Sequence, residues 1–176
     1  MRIAFDMDGT LTEGKYLPAP RKPIDYMSLA PFDKDTKDIW NQLSINHDLF
    51  IITARSAHDD GYYIQEWLDR EGMYPANTII TNPFPGRGSI ETGPWKYDLA
   101  KLLGCTLVFD DNPVVHTAFH LDCYDTSPGK FMTTVYLVDN PHWERNQVYE
   151  ADRVKSWKEI HEAINYHSQH APRPTL

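Results

Sequence analysis

Residues 3–10 read Ile3-Ala4-Phe5-Asp6-Met7-Asp8-Gly9-Thr10, an apolar run that leads directly into two closely spaced carboxylates. The apolar run predicts a buried strand, and Gly9 lets the backbone turn sharply away from its end. Two carboxylates at the carboxyl end of a strand can divide two tasks: one attacks a phosphorus atom and holds a metal, and the other moves the proton of the leaving group. Open α/β sheets bind their ligands at strand ends of this kind.

The size and composition of the chain set limits on its class. The 176 residues are enough for one domain with a substantial core, and no apolar run approaches the roughly 20 residues of a membrane span. The net charge of −8 disfavours a general nucleic-acid binder, although a local basic patch could still hold one phosphate. Cys105 and Cys123 are too few for a disulfide framework, and Asp6 lies too near Met1 for a preceding signal peptide. We therefore expect a cytoplasmic protein.

Apolar runs alternate with amphipathic segments along the chain, which predicts a mostly parallel, five-stranded sheet in a Rossmann-like three-layer α/β/α sandwich. One domain is predicted over residues 1–166, with a disordered tail over 167–176. The predicted strands are 2–6, 48–53, 78–81, 106–109 and 133–138. The predicted helices are 33–44 (begun by Asp33), 57–71, 95–103, one that follows Pro113 to about His120, and 155–166.

The carboxyl ends of parallel strands joined by right-handed crossovers lie at one edge of the sheet. Asp6 and Asp8 follow the first predicted strand, Thr53 ends the second, and Asp110-Asp111 follow the fourth. These polar residues, which are far apart in the sequence, are therefore expected to converge on one site.

In this order and at these places, the residues resemble the four motifs of the haloacid dehalogenase (HAD) superfamily. The motifs correspond to Asp6-Met7-Asp8-Gly9-Thr10, Ile51-Ile52-Thr53, Lys96 and Asp110-Asp111, and the resemblance spans roughly residues 1–140. It implies a phosphatase that works through an aspartyl-phosphate with Mg²⁺. An Asp at position 8 favours phosphoryl chemistry over cleavage of carbon–halogen bonds.

The resemblance also implies a role for each motif residue. Asp6 would be the nucleophile and Asp8 the acid/base, while Thr53 and Lys96 would each contact a phosphate oxygen. The metal ligands would be Asp6, the backbone carbonyl of Asp8, and Asp110. Asp111 would orient a metal-bound water or hold Lys96.

The spacing between the motifs leaves no room for a large cap domain, so the cap is expected to be minimal or absent. The site is then open to a bulky substrate, or is covered by loops or by a partner subunit in an oligomer. Loops 11–32 (a flap) and 82–95 are the specificity candidates, since aromatic rings can stack on a base and cations can meet phosphate. Their main substrate-binding candidates are Tyr16, Arg21, Arg87 and Trp95.

The C-terminal stretches 136–146 and 152–160 are similar to the end of 5'(3')-deoxyribonucleotidase-like members of the superfamily. The implied substrate is a small phosphate ester, most specifically a (deoxy)nucleotide monophosphate. Two alternatives stay open: a polynucleotide 3'-end phosphatase that acts on a nucleic-acid end, and a binding or regulatory module without turnover. Thr10 departs from the nucleotidase pattern, in which Gly-Val is common at this point.

Overall fold

The computed structural model describes residues 1–14, 26, 28–55, 59–83, 89–122, 133–141, 146–147 and 149–170. Within them, one sheet has the strand order β3-β2-β1-β4-β5-β6, and every neighbouring pair is parallel. The strands are β1 (Arg2–Phe5), β2 (Asp48–Thr53), β3 (Thr78–Thr81), β4 (Leu107–Asp110), β5 (Thr134–Val138) and β6 (Arg153–Val154). The predicted parallel sheet is confirmed, with one strand more than predicted, because β6 is a two-residue edge strand with no apolar run to mark it.

Helices cover both faces of this sheet, so the predicted three-layer sandwich is confirmed. Successive side chains of a strand point to opposite faces. Ile3 and Phe5 of β1 accordingly join one buried cluster, and Ala4 joins the other. The first cluster receives residues of α1, α2 and α5, and the second receives residues of α3 and α4. These helices are α1 (Thr36–Asn46), α2 (Asp60–Glu71), α3 (Ser89–Leu102), α4 (Pro113–Asp122) and α5 (Trp157–His170).

An aromatic cluster at the centre of the first face connects the C-terminal helix to β1. The ring of Phe5 stacks on Trp157 and on Phe109, each at a centroid distance of 5.3 Å, and meets Trp40 edge-on at 5.5 Å. Trp157 also donates from Nε1 to the backbone carbonyl of Thr10 at 2.9 Å. Helix α5 therefore anchors the turn that follows β1, on which the first two carboxylates lie.

Helix α3 differs from its prediction. It begins at Ser89 and contains Pro94, whereas the sequence predicted a loop over 82–95. Proline is normally tolerated only in the first turn of a helix, which is why Pro94 was interpreted as part of a loop. Residues 89–95 are therefore helical, and the loop is shorter than predicted.

Helix α5 also extends beyond its predicted end. It continues to His170, so residues 167–170 are helical and do not belong to a disordered tail. Residues 171–176 lie outside the described part of the chain. Of the helices that the structure describes, none has both the length and the hydropathy needed to cross a membrane.

Candidate active site

The order of the strands places three of the predicted motifs side by side. Strand β1 lies between β2 and β4, so Asp6, Thr53 and Asp110 all lie at the carboxyl edge of three adjacent strands. The backbone N–H of Asp6 donates to the carbonyl of Phe109 at 2.9 Å, which fixes the chain where it leaves β1. The expected convergence of these strand ends is thus present in the structure.

Lys96 connects two of the carboxylates. Its Nζ donates to Oδ1 of Asp6 at 2.6 Å and to Oδ2 of Asp110 at 2.7 Å. All three residues are buried. Helix α3 thereby delivers the motif lysine to the same point as the two strand-end carboxylates.

Burial governs the electrostatics of this cluster. It raises the pKa of Asp6, an effect that Lys96 opposes and the charges of Asp110 and Asp8 reinforce. It also raises the pKa of Asp111, again reinforced by Asp6 and Asp110. Burial alone would lower the pKa of Lys96, but the two carboxylates it contacts raise it above its ordinary value. One lysine thus faces several buried carboxyl groups, and a cation would relieve their repulsion.

Three of these carboxyl groups could hold such a cation. Asp6, Asp110 and Asp111 each offer an oxygen, and these oxygens lie within 4.8 Å of one another. Hard oxygen donors of this kind suit Mg²⁺. The carboxylate of Asp8 is not a member of this group, which agrees with the implied contribution of its backbone carbonyl instead.

Two asparagines that the sequence analysis did not single out as site residues hold Asp111. Asn140 donates from Nδ2 to Oδ2 of Asp111 at 2.5 Å, and Asn146 donates to the backbone carbonyl of Asp111 at 2.6 Å. Arg153 in turn donates to Oδ1 of Asn146 at 2.9 Å. Lys96 donates to Asp6 and Asp110, and the alternative role of Asp111, to orient a metal-bound water, stays a prediction.

Gly9 and Gly14 make room for this support. Both have positive φ angles, +82° and +73°. A Cβ atom on Gly9 would collide with the side chains of Asp111 and Asn140, and one on Gly14 would lie 2.7 Å from Nδ2 of Asn140. Glycine is therefore needed here for close approach as well as for the turn.

The carboxylate of Asp8 has a partner that the sequence analysis also missed. Arg55 donates from Nε to Oδ2 of Asp8 at 2.8 Å and from Nη2 to Oδ1. The Arg55 guanidinium lies 4.5 Å from the centroid of the Tyr26 ring, and the Tyr26 hydroxyl donates to Asp60. The position of Arg55, two residues beyond the end of β2 at Thr53, was the available signal, because it puts a cation at the same sheet edge.

The remaining predicted site residues lie in different parts of the chain. Thr53 is buried at the sheet edge, where its Oγ1 accepts from the backbone N–H of Arg55 at 3.2 Å. Trp95 lies on helix α3 and packs against the second core cluster, in agreement with the predicted helix 95–103 and not with the loop 82–95; its substrate contact stays a prediction. Tyr16, Arg21 and Arg87 lie outside the described residues.

Comparison with known proteins extends the description of the fold. The sequence matches no protein-family model and no curated protein. Its structure resembles an uncharacterized protein from Listeria monocytogenes serotype 4b with a TM-score of 0.64 at 14% identity, over 96% of this chain and 98% of that one. It also resembles a putative beta-phosphoglucomutase from Thermotoga maritima with a TM-score of 0.52 at 16% identity, over 94% and 98%. The chain shares the fold of these proteins. The fold that the four motifs implied is therefore confirmed.

Proposed function

We propose that this chain is a phosphomonoesterase of the haloacid dehalogenase superfamily that depends on Mg²⁺ and forms an aspartyl-phosphate. One observation carries the proposal: Asp6, Lys96, Asp110 and Asp111 meet in a buried cluster at the carboxyl edge of the parallel sheet. Phosphoryl transfer needs mainly positioning and charge neutralisation, and this cluster supplies both. The shared fold supports the proposal, since one of the similar structures is that of a putative beta-phosphoglucomutase.

The carboxylate of Asp6 is the proposed nucleophile. An Asp6 oxygen bonds to phosphorus while the bond from phosphorus to the leaving oxygen breaks, and that oxygen takes a proton from Asp8. Asp8 then takes a proton from the water that attacks the aspartyl-phosphate, which releases phosphate and restores Asp6. Lys96 holds Oδ1 of Asp6 through this cycle and contributes a positive charge beside the incoming phosphate. Thr53 is the proposed donor to a second phosphate oxygen.

The residues present fit a magnesium ion. Asp6, Asp110 and Asp111 would surround it, with the backbone carbonyl of Asp8 as a further oxygen donor. When bound, the ion would neutralise charge on the transferring phosphoryl group.

The proposed substrate is a (deoxy)nucleotide monophosphate. Support comes from the C-terminal stretch, whose similarity to nucleotidase-like members includes Asn140, Asn146 and Arg153, the residues that hold Asp111. A polynucleotide 3'-end phosphatase is the alternative within the same chemistry. A binding module without turnover is the alternative from another class, and the complete carboxylate cluster disfavours it.

Hydrolysis assays test the proposal. The purified protein is given p-nitrophenyl phosphate, nucleoside monophosphates and 3'-phosphorylated oligonucleotides, with Mg²⁺ or with EDTA. We expect Mg²⁺-dependent release of phosphate, fastest from the mononucleotides. Asp6→Asn should abolish it, and Asp48→Asn, an exposed aspartate at the far end of β2, should not. Absence of turnover on every ester would favour the binding module, and a preference for oligonucleotides would favour the end-processing enzyme.

A further inference from the structure

The ion pair between Arg55 and Asp8 is asymmetric. The side chain of Arg55 is 1% exposed, whereas that of Asp8 is 33% exposed. Arg55 therefore lies behind the carboxylate, and Asp8 keeps an open side. A group that arrives from solvent meets Asp8 and does not meet the guanidinium.

The contact between the two side chains uses both oxygens of the carboxylate. Nε of Arg55 pairs with Oδ2 and Nη2 pairs with Oδ1. A two-point contact of this kind fixes the plane of a carboxylate as well as its position, which a single hydrogen bond or a lysine cannot do. Each oxygen retains a second lone pair on the open side, which can accept a hydrogen bond or take up a proton.

Arg55 is itself held in place by residues from two other parts of the chain. The ring of Tyr26, from the predicted flap 11–32, lies against the guanidinium, and its hydroxyl donates to Asp60 at the start of α2. Tyr26 is 1% exposed and Asp60 is 1% exposed, so this support is part of the core. An ion pair at the protein surface does not need its cation to be buried and supported in this way.

We propose that Arg55 is a positioning residue that fixes the Asp8 carboxylate for proton transfer to the leaving oxygen, and that Tyr26 holds Arg55 for this task. The inference rests on the proposed phosphomonoesterase function. The step it affects is the one in which the bond from phosphorus to the leaving oxygen breaks and that oxygen gains the proton of Asp8. In this role Arg55 would act through Asp8 and not through its own contact with the phosphate or the leaving group.

This role predicts dependence on the leaving group. An alkyl phosphate needs a proton on its leaving oxygen, whereas p-nitrophenolate departs well without one. Arg55→Met should therefore lower kcat/KM for an alkyl phosphate about 10²-fold, within the range of general acid catalysis, and lower it much less for p-nitrophenyl phosphate. In an Asp8→Asn background the same substitution should add little to the loss, because the group it positions is already gone.

Two further variants show whether a loss of activity comes from the changed contact or from misfolding. Arg55→Lys retains the charge but loses the two-point contact, so the same preference for the good leaving group is expected. Tyr26→Leu should give a smaller loss in the same direction. Arg2→Met is the matched control: Arg2 is an exposed arginine at the start of β1 that contacts the backbone carbonyl of Leu103 and pairs with Asp48, and both esters should be turned over as in the parent. Far-UV circular dichroism confirms that each variant is folded.

The outcomes separate the two proposals. An equal loss for both esters in the folded Arg55 variants would overturn the positioning role, and an increase in KM alone would assign Arg55 to phosphate binding instead. If the parent protein hydrolysed no ester, the proposed function would fail first, and the positioning role with it. If the parent hydrolysed the esters but the losses in the Arg55 variants did not depend on the leaving group, only the positioning role would be contradicted.

Discussion

Asn140 shows how much of the candidate site depends on single side chains far from the motif residues. It donates to the carboxylate of Asp111, one of the proposed metal ligands, and both Gly9 and Gly14 leave space for its amide. Residues that hydrogen-bond a metal ligand orient it and commonly change metal affinity about 10–100-fold when mutated. The support of Asp111 is therefore as much a part of the proposed site as the ligands are.

Asn140→Ala should weaken Mg²⁺ binding by about 10–100-fold while leaving the fold intact, because Asp111 loses its amide donor. Activity and thermal unfolding are measured as functions of Mg²⁺ concentration. Asn41→Ala is the control, since the amide of Asn41 contacts Gly72 far from the sheet edge. An unchanged Mg²⁺ dependence in Asn140→Ala would remove Asp111 from the metal site.

At the residue scale the sequence predicted the strand-end groups and missed their supports. Asp6, Thr53 and Asp110 follow apolar strands, and parallel strands bring their ends together in any right-handed arrangement. Arg55 and Asn140 lie between the strands and helices, and Tyr26 lies in the predicted flap, where no apolar periodicity marks them. Their contacts depend on how those segments fold over the sheet, which neither composition nor spacing reveals.

At the scale of helices and strands, Asp33 connects the beginnings of two helices. Helix α1 begins at Thr36, not at the predicted residue 33, and Asp33 Oδ1 accepts from the N–H of Asp35 and from Oγ1 of Thr36. Oδ2 of Asp33 accepts from the N–H of Trp157, the first residue of α5, at 2.8 Å. Asp33 is therefore a capping residue, as predicted, but the turn that it forms lies before α1. It also caps α5, whose first residue is 124 positions later in the chain.

Asp33→Ala should lower the free energy of unfolding by about 1–3 kcal/mol, since each lost helix cap commonly costs about 0.5–2 kcal/mol. Asp35→Ala is the matched control. Asp35 is the N-cap residue of α1 but makes no capping hydrogen bond with its side chain, which forms a long ion pair with Lys158 at 3.7 Å. Urea unfolding compares the two, and equal losses would contradict the double role of Asp33.

The beginning of α3 was predicted wrongly because of Pro94, whereas apolar periodicity predicted α1, α2 and α5 correctly. Helices α1, α2 and α5 bury residues at helical spacing, such as Ile39, Trp40 and Leu43 of α1, and the sequence predicted these three helices from that spacing. Helix α3 contains Pro94 and lacks a clear apolar stripe, and its Leu102 is 82% exposed. Its position is set by packing against α4 and by the contacts of Lys96, which local sequence does not encode.

At the scale of the whole molecule, the buried carboxyl groups make the stability of the fold depend on pH and on the proposed binding of metal. Burial raises the pKa of Asp6 and of Asp111, so without metal the folded chain binds more protons than the unfolded chain above the ordinary aspartate pKa of about 4. The contribution of these two groups to stability therefore falls as pH rises from about 4 through their raised pKa values. The proposed Mg²⁺ would bind only the deprotonated carboxylates and would remove that penalty.

The increase in Tm caused by Mg²⁺ should consequently be larger at about pH 8 than at about pH 5, because protons compete with the metal at the lower pH. Differential scanning fluorimetry with Mg²⁺ or EDTA at both pH values measures this difference. Asp6→Asn serves as the control, since it removes one of the two titrating groups and one ligand and should reduce the effect. A Tm increase independent of pH would place Mg²⁺ binding elsewhere.

The most direct test of the account is to trap the covalent intermediate. The protein is mixed with Mg²⁺ and a phosphate ester that it hydrolyses, quenched in acid and digested, and the peptide that contains Asp6 is analysed by mass spectrometry. We predict a phosphoryl group on the carboxylate of Asp6, absent from Asp6→Asn and from the sample with EDTA. Turnover of the ester with no phosphoryl group on Asp6, or with one on another residue, would contradict the proposed mechanism.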